Sequence, residues 1–247
     1  MDALLAHVSA TPGLALAVLT IAFAASVVQF GLGMGFGLMA APLLAVIDPM
    51  LVPAPALFIG LVTSAWGAWA ERAAIRWNEV GTALVGRLAG VGVAMVGLSL
   101  LPSRDAFSLI FGLFIAAALL LSLSGRRLGF TPANLIAMAT LSGLMATFTS
   151  VGAPPLAIIY QDRPARDARP TLAAFFAIGC AISLAGLHLT GWAGPRDAAL
   201  ALLMLPGVFV GRVVAGRIGG RFDRRYRPLL LVIAAMAATV LILRGAL

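Results

Sequence analysis

The sequence predicts an all-α polytopic membrane protein made of two inverted repeats, each a broken helix or re-entrant hairpin plus three transmembrane helices. Three observations predict it. Hydrophobic residues make up 62% of the 247 residues and charged residues 11%, and the mean hydropathy is +1.05. Soluble domains carry about a quarter charged residues. Six plain apolar blocks, 52–70, 80–101, 106–123, 171–192, 198–215 and 229–243, come close to the roughly 20 residues that a helix needs to cross a bilayer. Two more apolar blocks, at matching places in the two halves, are interrupted by glycine and proline.

The first interrupted block, 14–47, contains Phe30-Gly31-Leu32-Gly33-Met34-Gly35-Phe36-Gly37 and then Ala40-Ala41-Pro42. Asp2 and His7 precede it, and no Lys or Arg occurs before Arg72. It therefore lacks the basic flank of a cleaved signal peptide, and the block is expected to stay. The plain blocks 52–70, 80–101 and 106–123 complete a first repeat over about 1–125. The second interrupted block, 135–160, contains Thr147-Phe148-Thr149-Ser150-Val151-Gly152-Ala153-Pro154-Pro155, and three plain blocks complete a second repeat over about 126–247. The whole chain, 1–247, is expected to be one membrane transporter domain. Similarity between the halves is faint: Val85-Gly86-Arg87-Leu88-Ala89-Gly90 resembles Val210-Gly211-Arg212-Val213-Val214-Ala215-Gly216.

All 17 basic residues are arginine, and the isoelectric point is near 11.5. In a soluble protein that would suggest nucleic acid; here the bilayer is the expected partner, and no nucleic acid is, because arginine gathers at the cytoplasmic ends of membrane helices. If all eight blocks crossed, the arginines outside them would split nine against six. If each interrupted block dips in and returns, Arg72, Arg76, Arg126, Arg127, Arg163, Arg166, Arg169, Arg217, Arg221, Arg224, Arg225 and Arg227 share one side, and only Arg104, Arg196 and Arg244 lie opposite. The second threading is the one that the positive-inside rule favours. It leaves three crossings per half, so the halves are inverted, both termini are periplasmic and the hairpin tips meet from opposite faces. Paired breaks of this kind point to a substrate site, because non-helical backbone at bilayer depth is tolerated only where it lines a cavity or is buried in protein.

Glycine at Gly31, Gly33, Gly35 and Gly37 costs roughly 1 kcal/mol each in a helix interior. Bare backbone N–H groups could face a ligand there, with the following half-helix presenting its positive end to an anion; close helix packing is the alternative use. Thr149 and Ser150 add hydroxyls beside Gly152, although either could serve only as a cap. Arg87, Arg212 and His188 are the ionisable groups within apolar blocks, while the nine acidic residues fall in or beside connections. A site without a buried carboxylate favours anions and lacks the usual proton relay. Arg87 and Arg212 either steer the anion or snorkel to the interface. Cys180, the single cysteine, is expected to be a buried apolar residue. Enzymatic work on a lipid or isoprenoid would need convergent carboxylates, a histidine pair or a nucleophile with its base, and the apolar blocks hold no such cluster.

Two stretches carry a resemblance to the TauE/SafE family of sulfite exporters, also called the toluene sulfonate uptake permease family. One is Gly33-Met34-Gly35-Phe36-Gly37-Leu38-Met39-Ala40-Ala41-Pro42-Leu43-Leu44, followed by Asp48-Pro49 and Val52-Pro53. The other runs over 143–156 and continues with Tyr160-Gln161 and Arg169-Pro170-Thr171-Leu172-Ala173-Ala174-Phe175-Phe176. Ser150 and Ala153 stand where the family commonly has glycine. The resemblance implies a transporter of the bacterial cell inner membrane for small sulfur-containing anions such as sulfite, sulfonates and sulfoacetate-like acids.

The expected function is therefore anion transport, in the export direction, because an inside-negative potential expels anions without a coupling ion. The expected substrate-binding residues are Gln29, Gly33, Gly35, Gly37, Thr149, Ser150, Val151, Gly152 and Arg87, with no metal and no cofactor. The alternative is an anion channel, or a carrier for short carboxylates, of the same fold; a homo-oligomer is left open. A single cysteine at position 2 in a Cys180→Ser background should be labelled by an impermeant maleimide only from the periplasmic side, and labelling only from the cytoplasm would overturn the threading.

Overall fold

The computed structural model describes residues 11–32, 35–101, 104–125, 127–218 and 226–246, and among them every regular element is helical. The first broken block forms α1 (Pro12–Leu32) and α2 (Phe36–Ile47), then passes through a 3-10 turn at Pro49–Leu51 into α3 (Ala54–Ala70). A second turn at Arg72–Ala74 leads to α4 (Trp77–Ser99) and α5 (Arg104–Leu123). The second half repeats this order with α6 (Pro132–Thr149), α7 (Ala153–Tyr160), α8 (Ala165–Leu189), α9 (Pro195–Ile218) and α10 (Tyr226–Ala246). Both breaks fall where the glycine and proline runs place them.

Among the described residues, six segments are long and apolar enough to cross a bilayer: Pro12–Phe30, Pro49–Ala70, Trp77–Ser99, Ala106–Leu123, Arg166–Leu189 and Pro195–Arg217. Five of them correspond to plain blocks of the sequence. The sixth is the first arm of the first broken block, longer than a dip to the midplane requires. The block at 229–243 contributes the shorter apolar stretch Ala234–Leu243, within α10. Outward-facing Val85, Leu88, Val93 and Val96 on α4, and Val232, Met236, Val240 and Leu243 on α10, are exposed. Apolar faces of this extent need lipid against them. The chain is a multi-pass membrane protein.

Close contacts set the helix directions. Gly86 and Gly90 of α4 press on the backbone of α6 at Ile136, Thr140 and Leu144 in ascending order, so these helices run the same way. Gly207 and Gly211 of α9 meet Leu19, Phe23 and Val27 of α1 in the same manner. One constant sequence offset relates Leu19, Phe23 and Val27 to Ile136, Thr140 and Leu144, and it also carries Gly35 onto Gly152. The exchange extends further, with α2 on α10 as α7 is on α5, while α3 lies antiparallel to α8 through Gly60 against Cys180 and Gly67 against Ala173. This register differs from the faint sequence similarity, which set Gly86 against Gly211. In the structure Gly86 corresponds to Gly207, so Arg87 and Arg212 are not equivalent.

The links gather at two ends. At one, Arg76 pairs with Asp167 at 3.1 Å, Arg163 with Glu79 at 3.4 Å, Arg127 with Asp162 at 3.6 Å, and Arg169 with Glu71. Phe130 meets Tyr160 edge to face at 5.2 Å, so the α6–α7 block leaves from this end and comes back to it. Exposed Trp69 and Trp77 lie there too, as in the aromatic belt of a membrane interface. At the other end Phe107 lies 5.2 Å from Trp192, and Arg196 reaches the Met50 sulfur. Since α1 runs with α9, whose start is beside Arg196, the α1–α2 block begins and finishes at this second end.

The glycine seams should be unforgiving. A Cβ at Gly90 would overlap the Thr140 carbonyl, whereas one at Gly92 meets nothing within 4 Å. Gly90→Val is expected to destabilise by about 3 kcal/mol or more and Gly92→Val to leave melting in detergent within about 1 °C of wild type; similar melting of the two would discount the seam.

Candidate functional site

The two breaks meet each other. Gly35, the residue before α2, has φ 119°, a left-handed conformation that favours glycine. Ser150 turns the chain out of α6 with φ 64°. A Cβ on Gly37 would overlap the Ser150 carbonyl, so one tip rests on the other backbone to backbone. Gly152 is equally constrained: its Cβ would stand 2.8 Å from the Ala146 methyl and 2.9 Å from Ser142 Oγ. Close packing thus accounts for Gly37 and Gly152, and backbone conformation for Gly35.

Side chains satisfy the backbone that the breaks expose. Phe36 N–H donates to Gln29 Oε1 at 3.0 Å, capping α2 from the last turn of α1. Val151 N–H donates to Thr149 Oγ1 at 3.1 Å, and that hydroxyl donates in turn to Met145 O at 2.7 Å. Ser142 Oγ donates to Gly152 O at 2.7 Å, and Ser150 Oγ to Pro53 O at 2.8 Å. The N–H groups of Gly37 and Leu38 have no acceptor within their own helix, as in the first turn of any helix. In the first turn of α7 only Ala153 is so placed, because Pro154 and Pro155 have no N–H to offer. The first tip is therefore richer in donors.

Between the tips lies an open cleft of about 390 Å³, the open solvent at its mouth included. It is lined by Gln29, Gly35, Phe36, Gly37 and Leu38 from the first hairpin, Ser150, Val151, Gly152 and Ala153 from the second, Gly60 and Ser64 from α3, and Phe176 and Cys180 from α8. Among the described residues no charged side chain lines it. Six of the nine expected site residues are here: Gln29, Gly35, Gly37, Ser150, Val151 and Gly152. Gly33 lies outside the described residues. Thr149 is fully buried with its hydroxyl engaged in the turn. Sequence reasoning missed Gly60, Ser64 and Phe176, and it read Cys180 only as a buried residue. Each pair is spaced i, i+4 on the plain helix that follows a break, the one pattern that could have marked them.

Arg87 neither snorkels nor reaches the cleft. It is fully buried, donating to Ser142 O at 3.2 Å, Gly179 O at 2.9 Å and Ser183 Oγ at 2.8 Å, so that it ties α4 to α6 and α8. Its Nε has no partner. Arg212, a turn off in register, lays its guanidinium over Trp66 at 4.3 Å and Phe30 at 5.1 Å. His188 is exposed near Ala193, away from the tips.

A family model described as Sulfite exporter TauE/SafE matches residues 18–241. No curated protein and no solved structure matches the chain.

The cap on α2 is open to a direct test. Gln29→Leu leaves the buried Phe36 N–H without an acceptor and should cost about 1–3 kcal/mol, whereas Gln29→Glu keeps an acceptor and should melt above the leucine variant. Equal melting temperatures for the two variants would assign the contact no weight.

Proposed function

The chain belongs to the TauE/SafE sulfite exporter family, and from that membership we propose that it carries small sulfur-containing anions, namely sulfite, sulfonates and sulfoacetate-like acids, out of the cell through the cleft between its hairpin tips. The family is one of transporters, and the chain acts as a carrier rather than an enzyme. The observation that carries this reading is the contact of the two breaks, which brings the starts of α2 and α7 to one cleft. A helix start concentrates unsatisfied N–H groups and about half a positive charge. Two such ends, with the Gln29 amide and the Ser64 hydroxyl beside them, set a few convergent donors in a mainly apolar pocket, an arrangement suited to small oxyanions.

The arginine-rich end faces the cytoplasm, both termini are periplasmic, and the halves are inverted repeats. The exchanged pairing of α4 with α6 and α9 with α1, at one constant offset, supports that arrangement. Direction follows from charge: an inside-negative potential stores about 2.3 kcal/mol per elementary charge per 100 mV, more than tenfold in anion gradient. Export of an anion then needs no coupling ion. Gln29, Gly35 and Gly37 bind from one side and Ser150, Val151 and Gly152 from the other, while Thr149 shapes the second tip.

Proteoliposomes holding the purified protein should pass sulfite or a small sulfonate electrogenically and with saturation. Gln29→Glu, which sets a carboxylate beside the cleft, should lower that flux on the order of tenfold through like-charge repulsion. Flux of short carboxylates in place of sulfur anions would transfer the reading to the alternative substrate class, and flux that never saturates would mark a channel.

A further inference from the structure

Arg87 has chemistry that the tie between helices does not use up. A guanidinium keeps its charge inside proteins, and burying one is costly unless a counter-ion compensates it. Among the described residues no carboxylate pairs with it; its partners are two carbonyls and one hydroxyl, and Nε has none. The Ser183 hydroxyl that it engages is held in turn by Thr147 at 2.8 Å, so this polar pocket is closed and formally cationic.

The packing of the fold does not need an arginine there. At one constant offset, Gly207 and Gly211 occupy on α9 the places that Gly86 and Gly90 occupy on α4. The residue after Gly207 is Val208, buried at 4% exposure and apolar. The same helix contact therefore closes around a valine on the other side of the molecule. What distinguishes Arg87 is its charge and where that charge sits. Two of the three groups that it holds adjoin the cleft wall: Ser142, whose hydroxyl fixes Gly152, and Gly179, next to Cys180. Its guanidinium also stands 5.8 Å from the ring of Phe175, next to Phe176.

We propose that Arg87 is the fixed charge of the transport site, acting through the cleft wall rather than by contact, and that it makes the cleft select anions and favour divalent over monovalent ones. The inference rests on the reading of the cleft as an anion site and adds the source of its charge preference. A field has a property that packing lacks: its effect scales with ligand charge. At an effective dielectric near 20, a unit charge roughly 10 Å away favours a monovalent anion on the order of tenfold and a divalent anion by about the square of that.

The test compares KM for methanesulfonate, a monoanion, with KM for thiosulfate, a dianion, in proteoliposomes of the full chain. Arg87→Met is expected to raise the methanesulfonate KM on the order of tenfold and the thiosulfate KM on the order of a hundredfold, so that their ratio moves about tenfold. Arg87→Lys should keep the ratio within about twofold of wild type despite losing the guanidinium fork. Ser183→Asp neutralises the guanidinium in place, should move the ratio as Arg87→Met does, and carries the test if the methionine variant fails to fold. A ratio unchanged in the neutral variants, or shifted equally by lysine and methionine, overturns the proposal. Wild-type protein that carries neither anion overturns the functional reading and this inference with it.

Discussion

Non-helical backbone inside a bilayer has no water to bond with, and each exposed N–H or carbonyl costs several kcal/mol. The protein breaks its helices twice, and the rest of its architecture follows from covering those breaks. They cover each other: Gly37 lies on the Ser150 carbonyl, close enough that no side chain fits between. What the tips cannot cover, four short side chains do. Gln29 and Thr149 accept from N–H groups, while Ser142 and Ser150 donate to carbonyls. The backbone that remains at the starts of α2 and α7 opens on the cleft.

Two tips can meet only if their arms are held at a fixed depth, and the glycine seams do this. Gly86 and Gly90 let α4 lie on α6, and Gly207 and Gly211 let α9 lie on α1, each at near backbone contact. Lipid tails are as apolar as leucine, so burial offers little drive for helix association in a membrane, and close van der Waals packing of this kind replaces it. Both hairpins are thus gripped by a helix of the opposite half.

Charge is distributed with the same economy. Among the described residues, the partnered carboxylates stay at the two ends: Glu71, Glu79, Asp162 and Asp167 pair with the links at the arginine-rich end, while Asp48 and Asp197 accept from backbone N–H groups at the other. Inside, the cleft offers dipoles and hydroxyls and no charged side chain among the described residues. In the proposed function, a ligand held there mainly by dipoles can also leave, which a carrier needs and a tight charge pair would hinder. On the proposed reading, Arg87 behind that wall biases the sign of the ligand without trapping it.

Composition and the breaks in hydropathy were enough to read the class of protein, the position of both hairpins and the TauE/SafE resemblance, because these depend on local chemistry: apolar length, glycine and proline. The arginine count anticipated that the links 72–76, 127 and 163–169 share one end, because the positive-inside rule acts on each loop separately. Most of the tip residues were legible for the same reason. Ser64, Phe176 and Cys180 were not, since they sit on unbroken helices and join the cleft only through the antiparallel packing of α3 on α8. Nor could the sequence alone separate Arg87 from Arg212, which share the motif Val-Gly-Arg. Tertiary register decided that: α4 and α9 are offset by one helical turn, so one arginine turns into a sealed polar pocket and the other onto Trp66 and Phe30.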